Sequence, residues 1–275
     1  MSEGCTHNCE TCNVSGCKDR TAQSLEVPAN EFSNIKKVIA VVSGKGGVGK
    51  SMVTSLLSVL SRRKGYETAI IDADITGPSI PKTFKIDQKA LVTDEAIFPV
   101  CTKTGIEMIS INLLLEDETK PVIWRGPILA GTVKQFWSDV MWQDVDIMFV
   151  DCPPGTGDVP LTVFQSLPVD GIVVVTSPQD LVSMIVEKAV KMADMMNVPI
   201  LGIVENMSYF VCDKCDEKHY IYGQSNIEEL AKSYGIETIA KLPIEKKLRS
   251  LVDTGDIEDF DGQWLDELFE AIEKC

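Results

Sequence analysis

From Ile35 onward the chain alternates short apolar runs with longer stretches whose apolar residues recur every three or four positions. KKVIAVVS (36–43), TAIID (68–72), IEMISIN (106–112), DIMFVD (146–151), GIVVVTS (171–177) and PILGIVE (199–205) are β-branched runs of strand length, almost wholly apolar rather than alternating. Between them, SMVTSLLSVLSRRKG places Met52, Leu56, Val59 and Leu60 at helical spacing before Gly65, and LAGTVKQFWSDV and DLVSMIVEKAVKMADMM have the same character. Strands apolar on both faces need cover on both faces. The pattern therefore predicts an α/β fold with a doubly wound, mostly parallel sheet, its ligand site at the carboxyl ends of the strands. Ile75–Gly105 lacks clear periodicity and reads as loops with a short hairpin, and no fixed-period repeat is present.

Residues 1–34 are a different material, rich in Cys, Asn, Thr and Ser, with ANEFSN as a linker or capping segment. The expected division is a Cys-rich metal-binding segment over 1–34 and a principal domain over 35–275.

Charge and length narrow the partners. The 275 residues, 44% hydrophobic, can bury a large core; 26 basic against 41 acidic residues give a net charge of −15 with no basic run. That balance disfavours binding to nucleic acid, which neutralises phosphates with Lys and Arg. No apolar run approaches the roughly 20 residues of a membrane span, and MSEGCTHNCETC has neither the basic start nor the apolar stretch of a secretion signal. A soluble cytoplasmic protein is the expectation. Nine cysteines there argue for metal rather than disulfides, all the more because they cluster.

The sharpest motif follows the first strand. GKGGVGKS, Gly44–Ser51, fits G-x-x-x-x-G-K-[ST] between a strand and a helix. Gly44, Gly46, Gly47, Val48 and Gly49 bring backbone N–H groups onto phosphate oxygens, Lys50 supplies charge, Ser51 offers an Mg²⁺ ligand, and Met52 continues into the helix. Two carboxylates fall at strand ends nearby. Asp151 opens DCPPGTGD, where it can hold Mg²⁺ through water while Gly155 or Gly157 brings an amide to the γ-phosphate. Asp74 lies just past the next strand, where it can orient and deprotonate attacking water.

VSGKGGVGKS, DADITGPS, DCPPGTGD, ENMSYFVCDKC and KLPIE together resemble the Mrp/ApbC type of P-loop ATPase, iron–sulfur cluster carriers of the wider group that includes MinD, ParA and the nitrogenase iron protein. The resemblance implies an ATP-hydrolysing homodimer in which Lys45 is a signature lysine reaching the partner subunit's nucleotide. An extra cation there would stabilise transition-state charge as an arginine finger does. It also implies that Asn206, Leu242 and Pro243 line the adenine pocket. Without the resemblance, Asn206 is a polar residue after a strand.

Cys212 and Cys215 form C-x-x-C in YFVCDKCDEKHYIYG, whose aromatic and β-branched flanks predict a hairpin with the pair at its turn. Two thiolates are too few for a four-coordinate site; a dimer supplies four. The resemblance implies a [4Fe–4S] cluster bridging the two chains, whereas the residues alone also fit zinc, a redox dithiol or an unmetallated loop. His219 fits a ligand by spacing or a polar hairpin residue. Asp216 stands where the family often has Gly, which bears on the turn. Cys5, Cys9, Cys12 and Cys17 offer four thiolates within one segment, as C-x3-C-x2-C-x4-C. They resemble a ferredoxin-like cluster motif of some relatives, with a shorter first spacer, and fit a second iron–sulfur cluster, zinc, or no metal. Cys101, Cys152 and Cys275 read as incidental thiols. Trp124, Trp137, Trp142 and Met192, Met195 and Met196 read as packing.

Two functions compete. One is a cluster carrier delivering to apo iron–sulfur proteins. The other is a MinD/ParA-type switch controlling membrane or partner association, which in the MinD case requires a basic amphipathic C-terminal helix; DGQWLDELFEAIEKC is amphipathic but acidic and is expected to dock on its own domain. An electron-transfer ATPase like the nitrogenase iron protein fits less well, because its cluster cysteines are widely separated.

Overall fold

A computed structural model describes residues 25–115, 126–178 and 182–275. The N-terminal cysteines Cys5, Cys9, Cys12 and Cys17, and Trp124, lie outside the described residues.

The apolar runs form a parallel sheet of β1 (Val38–Ser43), β2 (Thr68–Asp72), β3 (Glu107–Ile109), β4 (Ile147–Asp151), β5 (Gly171–Thr176), β6 (Ile200–Val211) and β8 (Ile239–Pro243); β7 (Lys218–His219) is a short antiparallel partner of β6. Across the sheet the order is β8-β6-β5-β1-β4-β2-β3, with Val100–Cys101 antiparallel at the far edge. The first strand is thus central, between β5 and β4. Loops leaving β1 and its neighbours diverge there and open a crevice at the strand ends.

Every residue of β1 is buried, because its alternating side chains serve two cores. Val38, Ala40 and Val42 face a layer containing α2 (Gly126–Ser138), α3 (Asp158–Ser166), α4 (Val182–Met196) and α5 (Ile227–Ser233). Ile39 and Val41 face α1 (Lys50–Arg63), α6 (Lys246–Thr254) and α7 (Asp266–Lys274). A continuously apolar strand is the signature of such double cover. In α7, Leu268, Phe269 and Ile272 are fully buried in the second core, so the acidic amphipathic C-terminus covers its own domain. No helix among the described residues is long and apolar enough to cross a membrane.

Several boundaries differ from the pattern. β6 does not stop at Glu205 but runs to Val211, because Tyr209, Phe210 and Val211 are strand formers. Asn206 therefore lies within a strand rather than after it. β3 ends at Ile109, where the chain turns into a 3₁₀ segment, Ile111–Leu113. The unpatterned Ile75–Gly105 contains a helical turn, Ile80–Thr83, and the expected hairpin, Leu91–Val92 against Ile97–Phe98.

The residues just before Ile35 are tied to the domain. Val27 donates its N–H to the Ser166 carbonyl at 2.8 Å and accepts from Trp137 Nε1 at 2.8 Å, while Asn34–Ile35 pairs with Asp144–Val145. These hydrogen bonds, with Val27, Ala29 and Ile35 packed on the first core, leave no hydrophobic period to read. Trp137 and Trp142 are buried as expected and Met192 and Met196 pack on the core, but Met195 lies on the outer face of α4 and is 79% exposed.

Candidate functional site

The loop between β1 and α1 turns through Gly47 and Gly49, both at positive φ. Gly49 is required twice over: its φ is 82°, and a Cβ there would collide with the Asn206 side-chain amide. It opens α1 with no side-chain cap among the described residues, so the first-turn N–H groups and the positive end of the helix dipole face the crevice.

Lys50 and Ser51 then meet the end of β4. Asp151, fully buried, accepts from Ser51 Oγ at 2.6 Å and from Thr54 Oγ1 at 2.7 Å, and its Oδ1 lies 2.8 Å from Lys50 Nζ. The Lys50 side chain is 6% exposed, and its buried ammonium makes no well-directed hydrogen bond among the described residues. A buried cation with unspent N–H groups beside helix-end amides is suited to an anion. Burial alone would lower the Lys50 pKa, but the carboxylates of Asp151, Asp74 and Asp72 outweigh it and hold the group above its ordinary value.

Asp74 approaches Lys50 at 4.0 Å from the loop after β2 and accepts from Thr76 Oγ1 at 3.2 Å. Its pKa is raised, first by burial, against the opposing pull of Lys50. A carboxylate raised in this way is a better base than a solvated one.

Two members of this cluster escaped the sequence reading. Thr54 lies one turn beyond Ser51 on the same face of α1 and fills the second oxygen of Asp151. Asp72, the last residue of β2, is buried and accepts from Ser110 Oγ at 3.1 Å. Burial, then the charge of Asp151, pushes its pKa up to about 8. The D-A-D spacing of Asp72 and Asp74 was the available signal, since both carboxylates flank one strand end.

Above this floor lie two adjoining cavities of about 330 and 480 Å³. The first is bordered by Lys45, Gly46, Lys50, Ser51 and Asp74. The second is lined by Asn206, Pro243, Ile244 and Leu248 among others, and shares Gly47, Gly49, Met52 and Val252 with the first. One groove thus has a phosphate-like polar half and an apolar half with an amide. Lys45 is exposed at its mouth. Asn206 Nδ2 donates to the Val48 carbonyl at 2.9 Å, tying β6 to the loop. A bulge between Glu205 and Tyr209, with Met207 at φ 57°, aims that amide across.

Two of the expected wall groups are placed differently. Leu242 is fully buried in the core beneath α6 and is not part of the groove wall, because strand alternation turns it inward while Pro243 faces the groove. Gly155 donates its N–H to the Ser43 carbonyl at 2.8 Å, so it braces the end of β1, and Gly157 is the one that opens α3.

Beyond the bulge, β6 and β7 form the expected hairpin with Cys212 and Cys215 at its tip. Cys212 N–H donates to the Glu217 carbonyl and Asp216 N–H returns to the Cys212 carbonyl, each at 3.0 Å. Asp216 adopts φ 56°, the left-handed region that favours Gly and that Asp also tolerates; the turn is kept. The backbone amides of Lys214 and Cys215 lower the Cys212 pKa, followed by the Cys215 side chain, which favours the metal-binding thiolate. Elsewhere burial acts the other way: it raises Cys101 and Cys275 and pushes Cys152 up to about 12. Both ends of the hairpin return to Glu205, which is buried and accepts from Ser208 Oγ at 2.5 Å and from Ser225 Oγ.

A phosphate loop whose lysine and serine converge on a strand-end aspartate, in a central-strand crevice, defines a P-loop NTPase. The chain belongs to a particular branch of that class: residues 34–274 match the ParA-group family described as NUBPL iron-transfer P-loop NTPase. It is 42% identical to an iron–sulfur cluster carrier protein of Clostridium perfringens, over 92% of this chain and 94% of the relative. It is also 42% identical to one of Methanocaldococcus jannaschii, over 91% and 89%. Among solved structures it is similar to a nucleotide-binding protein of Archaeoglobus fulgidus in complex with ADP, in which cobalt was found, with 43% identity, TM-score 0.77, and 84% and 91% of the two chains covered. The Pyrococcus furiosus cell-division ATPase MinD shares the fold, with TM-score 0.58 at 19% identity, over 86% of this chain and 98% of that one.

Proposed function

We propose that the protein is a cytoplasmic ATP-hydrolysing homodimer that holds a [4Fe–4S] cluster between two copies of Cys212 and Cys215 and delivers it to apo iron–sulfur proteins. The observation that carries this is the exposed hairpin, which offers two adjacent cysteine thiols, Cys212 and Cys215, on a chain of the iron-transfer family. One chain cannot complete the cluster; two can.

ATP would lie along the groove, its base beside Asn206 and Pro243 and its phosphates on the loop. Ser51 and Asp151 fit Mg²⁺, an oxygen-seeking ion, and Lys50 fits the adjacent phosphate oxygens. Mg²⁺ held there would supply positive charge that offsets the charge on the phosphate oxygens. Asp74 orients the attacking water and accepts its proton. Lys45, at the groove mouth, reaches the nucleotide of the partner subunit, so that ATP draws two chains together and hydrolysis releases them. Tighter cluster binding in one of those states than in the other is what permits transfer. The N-terminal Cys5, Cys9, Cys12 and Cys17 would hold a second cluster or zinc.

The deciding measurement is iron, acid-labile sulfide and zinc per dimer on anaerobically purified and reconstituted protein. Four irons and four sulfides on the hairpin are expected, and they should vanish in Cys212→Ala/Cys215→Ala with the fold intact. Zinc alone, or no metal after reconstitution, would sink the carrier reading.

A further inference from the structure

The hairpin carries one ligand more than a bridging cluster uses. A ring nitrogen of His219 and the sulfurs of Cys212 and Cys215 all lie within 4.8 Å of one another. This follows from the strand register. His219 pairs directly across from Phe210; cross-strand partners share a face, and so do residues two apart along a strand. His219 and Cys212 are therefore on one face, and the tight turn closed by Asp216 N–H and the Cys212 carbonyl folds Cys215 back to them.

Metal–sulfur bonds of about 2.3 Å and metal–nitrogen bonds of about 2.0–2.1 Å place tetrahedral ligands roughly 3.6–3.8 Å apart. Small rotamer changes of three side chains at an exposed tip cover the remaining distance. A four-iron cluster shared by two chains takes its four protein ligands from the thiolates alone, which leaves the imidazoles without an iron. In a single chain the balance is reversed: two thiolates are insufficient, and the imidazole is the third ligand at hand.

We propose that Cys212, Cys215 and His219 of one protomer form a site for a single divalent ion of borderline softness, such as Fe²⁺, Co²⁺ or Zn²⁺, with a fourth position left open. Three protein ligands and an open position characterise zinc sites that exchange a ligand, whereas closed four-ligand sites are structural. The undimerised chain would hold one ion at the position where the dimer holds a cluster. The inference rests on Cys212 and Cys215 being the metal-binding pair proposed above.

The test is anaerobic Co²⁺ titration of the full chain without nucleotide, in a Cys5→Ser/Cys9→Ser/Cys12→Ser/Cys17→Ser background that removes the other thiolate cluster. One Co²⁺ per chain is expected, at monomer mass by light scattering, with thiolate-to-cobalt charge-transfer absorption and tetrahedral d–d bands. His219→Ala should weaken Co²⁺ at least about tenfold and shift the d–d bands, while the iron and sulfide of the reconstituted dimer stay at wild-type levels. His219→Cys should restore affinity. Unchanged affinity and spectrum in His219→Ala, or one Co²⁺ per two chains at dimer mass, would overturn the proposal. The two readings separate cleanly: His219-dependent cobalt binding by a protein that never takes up a cluster sinks the carrier and keeps this site. Cluster uptake with His219-independent cobalt binding does the reverse.

Discussion

The phosphate loop and the cysteine hairpin are held by different means. Around the loop, the ionisable groups are buried against one another: Lys50 and Asp151 form a close pair beneath a cage of Ser51 and Thr54 hydroxyls, with Asp72 behind them. The hairpin tip is exposed and is fixed by backbone bonds of its own turn. The first site is nearly finished within one chain, and its cost of assembly is met during folding. The second presents two thiols and an imidazole which, in the roles proposed above, only an incoming ion, cluster or second chain would complete. With the hairpin as the proposed cargo site, a carrier needs that asymmetry, because a site as closed as the loop would not let go.

The strongest way to break the comparison is to remove the charge at the centre of the loop. Lys50→Ala should lower ATP turnover by about 1000-fold or more. By leaving Asp151 buried without its cation, it should also cost about 3–5 kcal/mol in urea unfolding, yet leave the hairpin's metal content per folded chain unchanged. Loss of cluster uptake in a folded Lys50→Ala protein would mean that the two regions are not separately built.

Lys45 sharpens the same contrast, being the loop residue proposed above to act on another chain's nucleotide. Lys45→Ala should reduce steady-state hydrolysis about 100-fold while ADP affinity, measured calorimetrically, stays near wild type. Normal turnover would exclude the cross-subunit role.

Asp72 tests how far burial dominates the loop. An acid whose pKa is raised in the fold binds its proton more tightly folded than unfolded, so it contributes a loss of stability as pH climbs from the ordinary carboxylate range to about 8. Asp72→Asn keeps the shape without the charge. Its melting temperature relative to wild type should rise as pH is taken from 6 through 8 to 9. A pH-independent difference would show that Asp72 is not the group titrating there.

The smallest effect is expected at the hairpin. Asp216→Gly relieves a positive φ but frees the unfolded chain, and the two should cancel to within about 0.5 kcal/mol in thermal unfolding. A larger change would mean that the tip is under more constraint than its backbone bonds imply.

Much of this was legible in the sequence, for physical reasons that also mark where reading stopped. Doubly buried strands announce themselves as unbroken apolar runs, and the phosphate loop is contiguous, so the sheet, α1 and the Lys50/Ser51 pairing were accessible. The hairpin was visible because its flanks are strand formers. What was missed depends on residues brought together by the fold. Thr54 matters only because α1 lies against the end of β4. Leu242 turns inward by a strand phase that a five-residue motif does not reveal. Gly155 is spent on Ser43, and Val27 is attached through two hydrogen bonds and one isolated apolar contact, which carry no period. His219 was visible as a spacing, but its closeness to both sulfurs is a matter of register.

Glu205 has a consequence for how this fold is put to use. Because Ser208 and Ser225 hang from a single buried carboxylate, and Tyr209 is clamped beside Pro243 and Ile244, the stem of the hairpin is fixed to the domain, and what extends beyond Tyr209 is a head tied back by the Lys246–Asp213 ion pair. Such a head is open to exchange: the segment can be lengthened, shortened or replaced by one with other ligands while the groove on the far side of Asn206 keeps its shape. The same engine would then serve whichever cargo the head is cut to fit.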